Sequence, residues 1–491
     1  MANENNEKLP IPKDLESVKQ ALNEHIGLDS SFDVLLREME FGTKKTGLLY
    51  INGFAKDEVL TEILKRLSYL NREELVPKVL RSFLEKYIPH IQVEVEEDLN
   101  KAVISVLSGM SAFFIDGETS CIIMDAKVFP IRSIDEPTLE KVARGSRDGF
   151  VETMLTNVTL VRRRLRDPNL TYEVMKVGKR TKTDVCIGYL DDIVDKKLVE
   201  SVRDKIKKIK IDGIPVANKQ LEEVIFGKGW NPYPLVRYSE RPDVVAAHLL
   251  DGHVILFVDT SPSAMILPAT LFHHVQHAEE YTDSPFVGTY LRWVRFLAIF
   301  ASIFVLPVWF LFVIEPSLKP DALEFLGPKK TGELPILIQF LLAEIGADLM
   351  RMASIHTPTA LGTSLGLISA IVLGEFAVQT GLFVYEVILY LALAMMGMYA
   401  TPSYELRLAN RMVRLILLII VAFFKVPGLI IGTTLIILIL VFTRSFNAPY
   451  LWPFIPFDAK AFFTIVLRKP ITHDNTRPSI TNPQDESKQP T

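Results

Sequence analysis

Cysteine is scarce in this chain: its 491 residues include two, Cys121 and Cys186. They stand far apart in strand-like patterns, without disulfide or zinc spacing, and read as small buried apolar residues. Excess charge of either sign is missing as well. Lys and Arg total 54 against 58 Asp and Glu, a formal net charge of −4. No basic field is available for nucleic acid, so none is expected as a partner. The first residues, Met1 to Asp14, lack the apolar stretch of a cleaved secretory signal. Walker loops, Gly-x-Ser-x-Gly elbows and paired-cysteine metal sites are absent from the sequence. Nothing in it argues for catalysis, a cofactor or a metal. Before Leu291 no apolar run is long enough to cross a bilayer.

After Leu291 the composition inverts. Leu291 to Ile314 is a first expected span, with Pro307 as a kink. A polar loop, Glu315 to Glu333, follows it. Pro335 to Ile355 is apolar but interrupted by Glu344, Asp348 and Arg351. Leu361 to Leu382 and Phe383 to Tyr399 are further spans. Val413 to Phe442 is broken at Lys425-Val426-Pro427-Gly428, which predicts a helical hairpin or a kinked pair. Arg292 and Arg295, with Arg407, Arg411 and Arg414 in the loop before the last region, place both termini in the cytosol by the positive-inside rule.

The polar part reads as two small α/β subdomains. Phe32, Leu35, Leu36 and Met39 recur at helical spacing and predict a helical lead-in over residues 1–45. Gly47 to Phe54 is a strand, and Asp57 to Leu70 and Leu75 to Tyr87 are helices. Asp116-Gly117 turns a hairpin between Ala112–Ile115 and Cys121–Met124. In the second subdomain, Gly178-Lys179 joins Leu170–Val177 to Thr183–Leu190. Arg162, Arg163, Arg164 and Arg166 close a helix end, as the helix dipole favours. The expected fold is therefore α+β: a soluble N-terminal region of two small α/β subdomains, then an all-α polytopic membrane domain of four or five spans. The boundaries are 1–45, 46–137, 138–285 and 286–460, with a polar cytosolic tail over 461–491 that is expected to be disordered from Thr472 to Thr491.

The stretch from Leu361 to Leu382 is the most informative. Gly362, Gly366, Ala370 and Gly374 recur every fourth residue, a small-residue ridge that lets helices approach closely in lipid. Ser364, Ile368, Ile371, Glu375 and Gln379 share a neighbouring face. This face either lines a water-filled path or is buried with Glu375 protonated or bonded to a neighbour. In a symmetric oligomer one carboxylate per subunit becomes a ring that favours cations. Glu344, Asp348 and Arg351 share a face too. Their helix either lies in the membrane interface with that face in water or lines a vestibule, as juxtapore charges. His273 and His277 have the i, i+4 spacing of metal ligands on a helix, but with Glu279 and Glu280 they read better as a solvated juxtamembrane helix. Arg144 to Gly149 is an anion-binding loop or, better, a structural turn.

Several motifs together resemble a known family. Glu240-Arg241-Pro242-Asp243-Val244-Val245, Leu249-Leu250-Asp251-Gly252 and the Arg144 to Phe150 turn are similar to signatures of the A subunits of bacterial spore germinant receptors. Ser146 stands where that family usually has proline. Thr401 to Leu406 and Arg444 to Leu451 resemble its late motifs. The likeness runs in order over roughly residues 45–460. Arg351 to Thr359 and the short N-terminus look most like its stage V sporulation branch. The resemblance implies the inner membrane of a bacterial spore, with the N-terminal region on the core side. It also implies a homo-oligomer that contacts membrane lipid, works with companion membrane subunits and passes monovalent cations. That branch resembles the A subunit only, so nutrient binding does not carry over. The expected function is an oligomeric cation channel subunit that releases ions during germination. The rivals are a non-conducting scaffold for other germination complexes and, least supported, a membrane-anchored enzyme.

Overall fold

The structure, a computed structural model, describes residues 8–70, 79–88, 92–129, 137, 140–142, 144–227, 230–329, 332–356 and 377–488. It divides into two compact units. One holds residues 1–229, 236–268 and 470–491, and the other 230–235 and 269–469.

The first unit is built on two antiparallel sheets. Helix α1 (Leu15–Ile26), capped by Asp14, leads into strands β1 (Val34–Phe41) and β2 (Lys44–Ile51). Helix α2 (Asp57–Leu67), β3 (Val93–Glu96), α3 (Leu99–Leu107), β4 (Ser111–Ile115) and β5 (Cys121–Met124) complete the first half, in the sheet order β1-β2-β4-β5-β3. Alternation decides what each face meets. Leu49, Ala112, Phe114, Cys121 and Ile123 pack with α1 and α3, whereas Leu48, Phe113, Ile115, Ile122 and Met124 pack with α2.

The helical lead-in is only half present. Phe32, Leu35, Leu36 and Met39 do not form a helix; Leu35, Leu36 and Met39 lie in β1. Gly42 (φ 56°) and Thr43 (φ 70°) make a two-residue turn whose positive φ values fit a hairpin. The pairing Val34 to Ile51 through Phe41 to Lys44 then overrides the periodicity.

The second half has α4 (Met154–Arg164), β6 (Leu170–Val177), β7 (Thr183–Leu190), α5 (Lys196–Lys207), α6 (Ala217–Phe226), β8 (Arg237–Ser239), α7 (Pro242–Leu250), β9 (Val254–Val258) and β10 (Ala264–Leu267). Its sheet order is β6-β7-β9-β10-β8. Both hairpins expected from Asp116-Gly117 and Gly178-Lys179 are present. Cys121 and Cys186 are buried. Arg162, Arg163 and Arg164 form the basic last turn of α4 as expected, and Arg162 also makes a tertiary contact. It is fully buried, its Nε donates to Asp33 at 2.9 Å, and it ties α4 to the turn before β1.

The expectation of a disordered tail is also corrected. Arg477 Nε donates to the Leu250 carbonyl at 2.8 Å. Thr481 Oγ1 donates to that of Asp251 at 2.7 Å, and Gln484 Nε2 to that of Val194 at 2.5 Å. A polar strand of chain is ordered here because it satisfies carbonyls left over at helix and loop ends.

The second unit is helical: α8 (Pro285–Ile314), α9 (Ile336–His356), α10 (Tyr385–Tyr399), α11 (Tyr404–Phe442) and α12 (Ala459–Val466), with a two-stranded ladder of β11 (Arg444–Ser445) and β12 (Ala448–Pro449) before α12. Among the described residues, α8 and α11 are long and apolar enough to cross a membrane. Lys425 (φ 52°, ψ −130°) interrupts α11. An ideal Cβ on Gly432 would lie 2.6 Å from Leu417 Cδ1, and one on Gly428 2.6 Å from the Ile420 carbonyl oxygen. In one straight helix Leu417 and Gly432 would stand about 22 Å apart. The region is thus a hairpin whose arms, 404–424 and 426–442, pack against each other. Its first arm runs alongside α8: Arg414 meets Ser302, and Lys425 pairs with Glu315 at 2.9 Å.

Candidate functional site

Three helices of the second unit meet at a buried set of charges. The first turns of α11 bring Arg411 and Arg414 onto one face by i, i+3 spacing, and α9 presents Glu344 and Asp348 by i, i+4. Arg411 Nε donates to Glu344 Oε2 at 2.9 Å, and Arg414 Nη2 to Oε1 at 2.5 Å. Arg411 also donates to the Glu344 carbonyl at 2.7 Å and pairs with Asp348. Arg351 Nη2 stands 3.1 Å from Asp348 Oδ1. Arg414 Nη1 reaches α8, donating to the Ser302 carbonyl at 2.7 Å.

The Glu344, Arg411 and Arg414 side chains are 1–2% exposed, while Asp348 and Arg351 are 28% and 30% exposed. Three guanidinium groups therefore surround two carboxylates. Removing such groups from water costs several kcal/mol per ion, which only close pairing and extra hydrogen bonds offset. The network can hold α8, α9 and α11 in one arrangement.

A second buried set lies at the start of α8. Glu280 is fully buried and accepts from Arg292 Nε at 2.7 Å while pairing with Arg295. Arg292 also donates to the carbonyls of Thr464 and Ile465, at 2.8 and 2.7 Å, and so fastens α12.

These contacts revise several expectations. Glu344 does not face water on an interfacial helix; it is enclosed by arginines. Arg411 and Arg414 are not loop residues but parts of α11 turned into the bundle. Glu280 is no surface residue. His273 and His274 are buried, and the single 3-10 turn Leu271–His274 leaves no helical face shared with His277. His273 Nδ1 accepts from the Thr270 backbone at 3.1 Å and caps that turn.

The Arg144 to Gly149 turn is held from within. Arg164 donates to Asp148 at 2.6 Å and to Ser146 at 2.7 Å, and Arg241 donates to the Ser146 carbonyl at 3.1 Å. The structural reading of that loop is the one observed, and two motifs about ninety residues apart in sequence form one clasp.

Gly362, Ser364, Gly366, Ile368, Ala370, Ile371, Gly374 and Glu375 lie outside the described residues. Gln379 is described and exposed, in the short turn Ala377–Gln379. The chain leaves α9 at His356 and is described again at Ala377, close to the start of α9. There the Glu333 backbone donates to the Gly381 carbonyl at 3.0 Å, and Gln339 Oε1 accepts from the Val384 backbone at 2.9 Å.

Arg411 and Arg414 are the members of this site that sequence reasoning missed. Their spacing on the face opposite Glu344 was the available signal. The sequence does not say which helices become neighbours.

Comparison with known proteins bears on the whole chain. A family model described as Bacillus/Clostridium GerA spore germination protein matches residues 20–480. Stage V sporulation protein AF of Bacillus subtilis is 45% identical over 491 residues, covering 100% of both chains. Spore germination protein KA of the same organism is 29% identical over 94% of this chain and 86% of its own. A crystal structure of the N-terminal domain of the A subunit of the Bacillus megaterium spore germinant receptor GerK3 aligns with 54% of this chain and 98% of its own, at 26% identity and a TM-score of 0.41.

Proposed function

This chain belongs to the Bacillus/Clostridium GerA spore germination protein family, and from that premise we propose that it is a membrane subunit of the germination apparatus, assembling as a homo-oligomer that passes monovalent cations. The N-terminal unit faces the spore core, the helical unit sits in the inner membrane against lipid, and companion membrane subunits complete the apparatus. Glu375, with Ser364, Ile368, Ile371 and Gln379, lines the path. Gly362, Gly366, Ala370 and Gly374 pack its helix against a neighbour.

The observation that carries this reading is a contrast between acids. Glu344 and Asp348 are engaged by arginines inside the bundle, so they hold helices together. Glu375 stands in the sequence 361–382 as its one charged residue, with no Lys or Arg beside it. A carboxylate at membrane depth is costly unless it serves a path or a partner. In spores, Glu375→Gln should slow cation release during germination at normal protein level. Unchanged release would remove the path assignment.

One observation favours a second reading, a non-conducting scaffold. The charges of α9 are engaged in ion pairs instead of being left to a vestibule. On that reading, Glu375→Gln spores release cations normally, whereas deleting the chain disturbs assembly of the companion subunits.

A further inference from the structure

The stretch between the α11 hairpin and the tail has an unusual surface. Phe454, Ile455, Phe457, Phe463 and Leu467 are all exposed, between 44% and 68%. Aromatic contacts organise this surface. Phe454 stacks on Phe272 at 5.1 Å and meets Phe462 edge-on at 5.1 Å; Phe457 lies 5.9 Å from Phe462. Within the same stretch Arg444, Lys460, Arg468 and Lys469 face one acid, Asp458, which is occupied in capping α12.

The position of this surface is fixed by the bonds to α8. Arg292 holds the last carbonyls of α12, and the Arg468 backbone donates to Thr289 Oγ1 at 3.1 Å. The segment is therefore locked beside the first turns of α8, where Phe286, Tyr290 and Trp293 are exposed. From Trp293 to the Glu315–Lys425 pair, α8 rises about 33 Å, close to the ~30 Å of a hydrocarbon core. Trp and Tyr concentrate at the edges of that core.

We propose that residues 454–469 form an in-plane anchor at the phospholipid headgroup boundary. The phenylalanines enter the upper acyl chains, and Lys460 and Lys469 reach the headgroup phosphates. The inference rests on the reading of the helical unit as membrane-embedded. Its occupant is lipid because the surface continues the apolar flank of α8 at the depth of the exposed Phe286, Tyr290 and Trp293, and because its basic rim suits phosphate. An amphipathic segment of this composition lies in the interface and does not span it.

The test uses the full-length protein in phospholipid vesicles, with a bimane probe on Phe463→Cys and, separately, on Phe457→Cys. Both native cysteines are buried, which makes the labelling selective. A third probe, on the exposed Phe300→Cys of α8, reports whether the bundle is in the membrane at all. The anchor predicts strong quenching at 463 and 457 by a nitroxide high on the acyl chain, weaker quenching by a deep one, and little by aqueous iodide. Iodide quenching at 463 and 457, or protection from every quencher, overturns the anchor when Phe300→Cys is quenched by lipid. If the probe at 300 also escapes the lipid nitroxides, the membrane reading falls with it.

Discussion

Glu344 accepts from two arginines and is 2% exposed, so its charge is not dispensable once the bundle has formed. Glu344→Gln leaves Arg411 and Arg414 buried against a neutral group. The expected loss is about 3–5 kcal/mol, the usual result of removing one partner of a buried pair. Asp348→Asn should cost clearly less, because that carboxylate keeps partial contact with water. Thermal unfolding of both variants in detergent decides it, and equal losses would contradict the network described. A second residue-scale prediction concerns acid. Burial pushes the His253 imidazole down to about 4. It also lowers His248 well below the ordinary value, with Arg237 adding to the effect. The unfolded chain titrates near 6.5 and takes up the proton first. The His253 contribution is therefore complete above pH 6.5, and it is lost as pH falls from there through about 4. For His253 this amounts to on the order of 3 kcal/mol. Protease resistance of the N-terminal unit should fall across that window, and a flat profile would count against it. Of these partners only Arg351, three residues from Asp348, was legible in the sequence. Spacing showed that Glu344, Asp348 and Arg351 share a face, but Arg411 and Arg414 lie more than sixty residues away.

Among elements, the sheets were the most legible, because turn chemistry is local. Asp116-Gly117 and Gly178-Lys179 marked their hairpins directly. Strand β1 was misread because three of its apolar residues, with Phe32 just before it, imitate a helical stripe. Only its pairing with β2 settles its form. The α11 region was legible as a break at Lys425, either a hairpin or a kinked pair, and the sequence did not choose between them, since kinked and folded-back helices share the same sequence of apolar residues. The hairpin can be tested at its glycines. Gly428→Ala would place a methyl 2.6 Å from a backbone oxygen, which cannot move without opening the hairpin. Gly432→Ala meets the Cδ1 of Leu417, a side-chain tip that can rotate. Gly428→Ala should therefore lower stability by about 1–3 kcal/mol, the range for overpacking, and Gly432→Ala by less. Thermal unfolding that ranks the two in the opposite order would argue against the hairpin geometry.

For the whole molecule, composition gave the division into a charged N-terminal part and an apolar C-terminal part. It did not give the excursions of the chain between them: residues 230–235 belong to the helical unit, and 470–491 return to the α/β unit. Such exchanges depend on a few hydrogen bonds, like those of Arg477 and Thr481, that leave no periodic trace. The family is carried by the whole chain, whereas the proposed passage of cations rests on an assembled ring, with Glu375 as its proposed centre. The most direct measurement is cation flux through the purified full-length protein in liposomes, compared with Glu375→Gln at equal incorporation. The account predicts flux through the unaltered protein and a marked loss in the variant. Equal flux in both, or none through the unaltered protein, would contradict it.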